Sequence, residues 1–246
     1  MVDDLVQGMA HFSENFEDYK DDYIIIGGVA TAINQRRFGY AAKATKDFDL
    51  IVLDESNDST FVSHFVDYIR NKAKYRFIGK FKDEGRILYQ FKDPANRSAP
   101  EMIELFTINE LDESKLTFKR LNGKEYFEYI SAIVLDKDYR ILVEKYRIES
   151  SNLSIAGPEV LIPLKALAFV NFTKTDDKID KIQANRNVKE AKKHLDDIKS
   201  LCSFIEDDEI IVSTSILENI HIVSDAIKLV KGKEEMAVIL KEVYKI

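Results

Sequence analysis

The chain has 246 residues, 45% of them hydrophobic and 32% charged, with a formal net charge of −7 and a pI near 5.3. That length accommodates one large domain or two small ones with separate cores, and the acidic balance argues against a protein that coats nucleic acid non-specifically while leaving room for a local basic patch, so no double-stranded DNA partner is expected. No apolar stretch approaches the roughly 18 residues that a membrane span needs, and Asp3 and Asp4 stand where a leader peptide would carry bases, so a cytoplasmic protein with no membrane partner is expected.

Residues 3–20 place Leu5, Met9, Phe12, Phe16 and Tyr19 at alternating steps of four and three, which predicts an amphipathic helix with an acidic outer face. An apolar strand, Tyr23–Ile26, runs into Gly27 and Gly28. Residues 29–35 read as a helix whose N-terminus faces whatever the glycines cradle, and Gly39 ends it. A loop over 40–46 leads into a second strand, 47–53, and residues 54–60 form a polar turn. Phe61, Phe65, Tyr68 and Ile69 recur at helical spacing, predicting a helix packed on the sheet. Residues 75–81 and 86–91 read as a hairpin around Asp83, Glu84 and Gly85, and the strand Met102–Thr107 follows a break at 94–100.

Between 111 and 156, short β-like pieces at 125–130, 132–135 and 140–143 are separated by polar turns such as 136–138 and read as the far edge of the sheet. Gly157 and Pro158 mark the one clear boundary. Beyond it the pattern is helical over Pro158–Thr173, 186–204, 213–230 and Glu234–Tyr244. Strands followed by helices predict an α+β fold, with an α/β domain over 1–157 and a helical domain over 158–246. Cys202, the single cysteine, lies beside Leu201 and near Phe204 and reads as a packing residue in a reducing compartment.

Asp47 and Asp49 are the sharpest chemical feature. In a strand, residues two apart point to one face about 7 Å apart, so both carboxylates project together while Phe48 and Leu50 turn into packing. Side-by-side anions need a compensating cation, and a divalent metal supplies one. Gly27 and Gly28, one strand away, leave the backbone open to a bound phosphate. Glu104 is a carboxylate on a mainly apolar strand, with Met102 and Phe106 on its face and Ile103 and Leu105 on the other. Three carboxylates on neighbouring strands suit two magnesium ions about 3.5–4 Å apart and phosphoryl or nucleotidyl transfer. His11, His64 and His221 are too scattered for a metal site, and no Walker loop, nucleophile elbow or Cys-x-x-Cys occurs.

The string formed by Gly27, Gly28 and the run Lys43-Ala44-Thr45-Lys46-Asp47-Phe48-Asp49-Leu50 resembles the DNA polymerase β-like nucleotidyltransferase signature. More narrowly it is similar to the AbiEii-type nucleotidyltransferases, toxins of toxin–antitoxin and phage-defence systems, with Lys43 where that family commonly has arginine. Residues 158–168 resemble the family's lysine-bearing helix and residues 193–198 its later basic and acidic helix.

The resemblance implies a polymerase β-like sheet and an NTP substrate. It implies that Asp47, Asp49 and Glu104 bind magnesium, with Glu104 also a base toward the acceptor hydroxyl and Glu101 its fallback. Gly27, Gly28 and Thr45 would contact the triphosphate, and Lys165 would reach a phosphate oxygen. Lys193 and Asp197 would join the nucleotide site, although their i, i+4 spacing equally fits a surface ion pair. The basic residues of 178–199, interspersed with acids, fit a solvated face as well as an RNA contact.

The acceptor is left open between a tRNA, a protein and a small molecule, and a cognate antitoxin is an implied partner. Eighteen residues separate Gly28 from Asp47, more than the superfamily commonly has, which puts the placing of the glycines over the carboxylates in question. The rival reading is a catalytically idle binding module on the same fold.

Overall fold

The computed structural model describes residues 6–42, 44–53, 60–83, 86–107, 133–134, 138–173, 181–232 and 234–246. Two compact units divide the chain, one within 1–33 and 42–155, the other within 34–41 and 156–246. The fold is α+β. Strands β1 (Tyr23–Ile26), β2 (Asp47–Val52), β3 (Tyr75–Asp83), β4 (Arg86–Pro94), β5 (Met102–Thr107), β6 (Ile133–Val134), β7 (Arg147–Ser150) and β8 (Leu153–Ala156) form one mixed sheet. Its order is β3-β4-β5-β2-β1-β8-β7, with β6 beside β5.

Strands β1 and β8 are buried on both faces, whereas pleating separates a core side from an acid side at the start of β2. Phe48 and Leu50 of β2 point opposite to Asp47 and Asp49 and are fully buried. The registers put Phe48 beside Ile103, and Ile103 opposite Phe91, so these rings and side chains share that face. Helices α1 (Met9–Phe16) and α3 (Thr60–Asp67) cover it. The Phe12 ring lies 5.3 Å from Phe48 and 5.7 Å from Tyr23, Phe61 stacks on Tyr23 at 5.9 Å, and Phe65 meets Phe91 at 5.6 Å. Each buried aromatic side chain removes on the order of 150–250 Å² from water, so this cluster supplies much of the unit's cohesion.

The helix predicted over 3–20 is shorter than its periodicity suggests. It starts at Met9 because Gly8 takes φ +87, and a Cβ there would lie 2.1 Å from the Pro100 nitrogen. A 3-10 turn over Glu17–Tyr19 follows, and the predicted positions 3–5 lie outside the described residues. Helix α3 continues into a π turn, Tyr68–Lys72, which buries Tyr68 and Ile69.

The strand predicted at 140–143 is instead helix α4 (Asp138–Lys145). Tyr139, Leu142 and Val143 are buried at i, i+3 and i+4, so the apolar run follows a helical period. Residues 133–134 pair as β6, whereas the predicted strand at 125–130 lies outside the described residues, as do 54–59 and the 84–85 turn. An unpredicted hairpin, β7–β8, turns on Ser151 and Asn152 with φ 52 and 58, the conformation of a two-residue type I′ turn.

Helix α2 (Gly27–Arg37) extends the predicted 29–35 at both ends. Gly39 N–H bonds the Arg36 carbonyl and Tyr40 N–H the Gln35 carbonyl, a Schellman ending.

The second unit contains α5 (Pro158–Thr173), α6 (Lys181–Leu201), a 3-10 turn at Cys202–Phe204, α7 (Thr214–Lys228) and α8 (Glu234–Tyr244). Pro158 occupies the first helical position, where its missing N–H costs nothing. Ile216, Ile220, Val223 and Ile227 form the buried stripe of α7, and Phe38 stacks flat on Phe204 at 4.7 Å. Pro163 lies inside α5 and deprives the Glu159 carbonyl of its helical donor, and the Tyr244 hydroxyl donates to that carbonyl at 3.5 Å. Cys202 is buried and its thiol is pushed up to about 12 by burial, in keeping with a packing role. Among the described residues no helix is long and apolar enough to cross a membrane.

Replacing Phe12 with alanine removes the ring that bridges α1 to both β1 and β2. Urea unfolding is expected to show a loss of about 3–5 kcal/mol with little change in m-value.

Candidate functional site

On the face opposite the aromatic core, β2 presents Asp47, exposed, and Asp49, half-buried. The parallel β2–β5 register sets Asp49 beside Glu104 and Asp47 beside Met102. The antiparallel β4–β5 register sets Gln90 opposite Glu104 and Lys92 opposite Met102. The acid face therefore joins three strands, with Glu104 flanked by Asp49 on one side and Gln90 on the other.

Glu104 is held from both sides. Gln90 Nε2 donates to its Oε1, and a hydrogen bond joins it to Asp49. Burial pushes its carboxyl above the ordinary carboxylate range. The Lys92 charge opposes that rise, Asp47 adds to it, and the bond with Asp49 opposes it again. Gln90 and Lys92 are the site residues that sequence reasoning missed. Their alternation on β4 places them on one face, but only the register to β5 assigns that face to the acids. Glu101, the predicted fallback, precedes β5 and forms an exposed ion pair with Lys46 at 2.8 Å.

Gly27 lies directly against the Asp49 carboxylate. Ile26 is the cross-strand partner of Asp49, and the chain turns into α2 at the next residue. Gly27 has φ +67, and a Cβ there would stand 1.8 Å from Asp49 Oδ2, so only glycine fits without displacing the carboxylate. A Cβ on Gly28 would meet Thr45 Oγ1 at 3.0 Å, which sets Thr45 against the second glycine. A parallel bridge between Val6 and Thr45 fixes that segment. The long stretch between Gly28 and Asp47 thus leaves Gly27 on Asp49 and returns Thr45 to Gly28.

Among the described residues no three His, Cys, Asp or Glu side chains form a ready-made metal cage. The donor set nevertheless suits magnesium, which is commonly held by one or two carboxylates plus substrate phosphates rather than by an all-protein cage. Asp49 and Glu104 stand side by side as like charges, a repulsion that a cation between them would relieve.

In the second unit Lys165 and Asp197 come together. Lys165 Nζ donates to Asp197 Oδ2 at 2.7 Å, with only 7% and 19% of the two side chains exposed. The suggested Lys193–Asp197 surface pair is replaced by this contact, because the buried ammonium of Lys165 has the stronger need for a counter-charge. Lys193 instead approaches Glu190 at 3.7 Å on the exposed side of α6, and Asp196 pairs with Lys199. His194 stacks on Phe172 at 5.7 Å, and its pKa is lowered to about 4 by burial and by the charges of Lys165 and Lys193.

Because the folded value lies below the unfolded 6.5, the unfolded chain takes up the proton first. The stability contributed by neutral His194 is present above about pH 6.5 and is lost as the pH falls toward about 4. A His194→Phe variant, followed by urea unfolding from pH 7 to pH 4.5, is expected to lose less stability than wild type, by on the order of 1–3 kcal/mol.

No protein-family model matches the chain, and no curated protein matches it. Among solved structures, the chain is similar to an antigenic nucleotidyltransferase-like protein from Paracoccidioides brasiliensis. The identity is 14% and the TM-score 0.47, over 96% of this chain and 92% of that one.

Proposed function

We propose that the protein is a magnesium-dependent nucleotidyltransferase, which moves a nucleoside monophosphate from an NTP to an acceptor hydroxyl. The observation that carries this reading is the placing of Gly27 directly on Asp49, which itself stands in register beside Glu104. A glycine turn and helix start at a carboxylate pair bring phosphate-binding backbone and cation-binding oxygens to one place. The sequence resemblance of Gly27, Gly28 and the 43–50 string to the polymerase β-like signature supports the same chemistry.

In this reading Asp47, Asp49 and Glu104 hold magnesium, whose charge offsets that of the phosphates when it is bound. Gly27 makes room for the Asp49 carboxylate, the backbone of Gly27 and Gly28 contacts the triphosphate, and Thr45 shapes its edge. The acceptor oxygen forms a bond to the α-phosphorus as the bond to the bridging oxygen breaks and pyrophosphate leaves. The hydroxyl proton passes to a carboxylate, and Glu104, raised by burial, is the best acceptor in the set. Positioning and charge neutralisation supply most of the rate in such reactions. An AbiEii-like toxin role, with a tRNA, protein or small-molecule acceptor and a cognate antitoxin, is the finer form of the proposal and rests on the sequence resemblance.

A rival reading has one observation in its favour. Glu104 is already satisfied by Gln90 and Asp49, as in an idle fold that keeps its acids as a hydrogen-bonded pair.

Thermal melts with ATP, GTP, CTP and UTP, each with and without magnesium, separate the two. At least one NTP is expected to raise the melting temperature only with magnesium, and Asp47→Ala or Asp49→Ala is expected to abolish that rise. The same variants should lower transfer of labelled nucleotide to RNA or protein in a lysate by at least about 100-fold. Absence of any magnesium-dependent shift, with Asp47→Ala indistinguishable from wild type, would sink the enzyme reading.

A further inference from the structure

We propose that Gln90 is a positioning residue of the acid face, orienting the Glu104 carboxylate toward a divalent cation. This rests on the reading above and adds to it a residue outside the carboxylate set. Three observations carry it.

The first is the register. Gln90 and Glu104 are direct partners across β4 and β5, and Asp49 and Glu104 are direct partners across β2 and β5. Glu104 thus stands between a second acid, Asp49, and an amide that can donate to it. The second is the direction of the hydrogen bond. Gln90 Nε2 donates to Glu104 Oε1, since the opposite orientation of the amide would set a carbonyl oxygen against a carboxylate. That contact ties down Oε1, so the amide fixes the orientation of a carboxylate whose strand neighbour on the other side is Asp49.

The third observation separates a functional role from a structural one. Gln90 Oε1 is buried and accepts no hydrogen bond among the described residues. A buried unpaired acceptor costs stability, and an apolar side chain of similar length would fill the position without that cost. The amide therefore serves its donor end, and the recipient of that donor is Glu104. Residues that orient metal ligands from behind typically tune metal affinity 10–100-fold when removed.

The test uses the full-length protein and Mn²⁺ alone as probe, with free Mn²⁺ followed by electron paramagnetic resonance and the fold checked by melting without metal. Wild type is expected to bind Mn²⁺, and Gln90→Met is expected to bind it about 10–100-fold more weakly. In a Glu104→Gln background, Gln90→Met should add no further loss, because its effect passes through Glu104. Gln90→Asn, whose amide is one methylene too short to reach, should weaken binding in the same direction and serves if the methionine variant fails to fold.

Wild-type affinity in these variants, or an undiminished effect in the Glu104→Gln background, would overturn the positioning role and leave the proposed function intact. If wild type bound no Mn²⁺, and no NTP bound with magnesium, the function and this inference would fall together.

Discussion

Two carboxylates held on neighbouring strands repel each other, and the first unit is arranged around the consequences of that repulsion. Asp49 and Glu104 are partners in a parallel register, so neither can move away without breaking the ladder between β2 and β5. The strain is met locally by a hydrogen bond between them, by the Gln90 amide, and by the positive charge of Lys92. The same pleat that forces the acids together turns Phe48 and Ile103 the other way, into the aromatic core that keeps the ladder rigid. Site and core are thus two faces of one alternation. A substitution that loosened Phe12 or Phe48 would also relax the carboxylates against each other.

The turn at Gly27 adds a second constraint on the same point. Helix α2 starts immediately over Asp49, where the partial positive charge of the helix N-terminus favours a carboxylate. Backbone and side chain approach so closely there that a single methyl group has no room.

Much of this was legible in the sequence wherever a feature was local. Period-two alternation exposed Asp47 and Asp49, an acid in an apolar strand exposed Glu104, and the β5 and α8 boundaries followed from their residues alone. What escaped was set by register or by long-range pairing. Gln90 is an unremarkable polar residue in a hairpin until its cross-strand partner is known. The four-residue run 140–143 suits either a strand or a buried helical turn, and only the burial of Tyr139 with Leu142 and Val143 decides for the helix. For Asp197, sequence shows only local partners such as Lys193 at i, i+4 spacing. Its partner Lys165 lies 32 residues away, on another helix.

The internal proline of α5 has a bearing on how the second unit opens. A proline at that point normally leaves a carbonyl for water and a weak joint in the helix. Here the carbonyl is served by Tyr244 from the end of α8, 85 residues along the chain. Fraying of α8 would therefore unsatisfy a group in the first turn of α5, and loosening of α5 would break the same bond from the other side. The last helix is in this way tied into the same cooperative opening unit as the first helix of its bundle, and the two would exchange their amide protons together rather than in sequence.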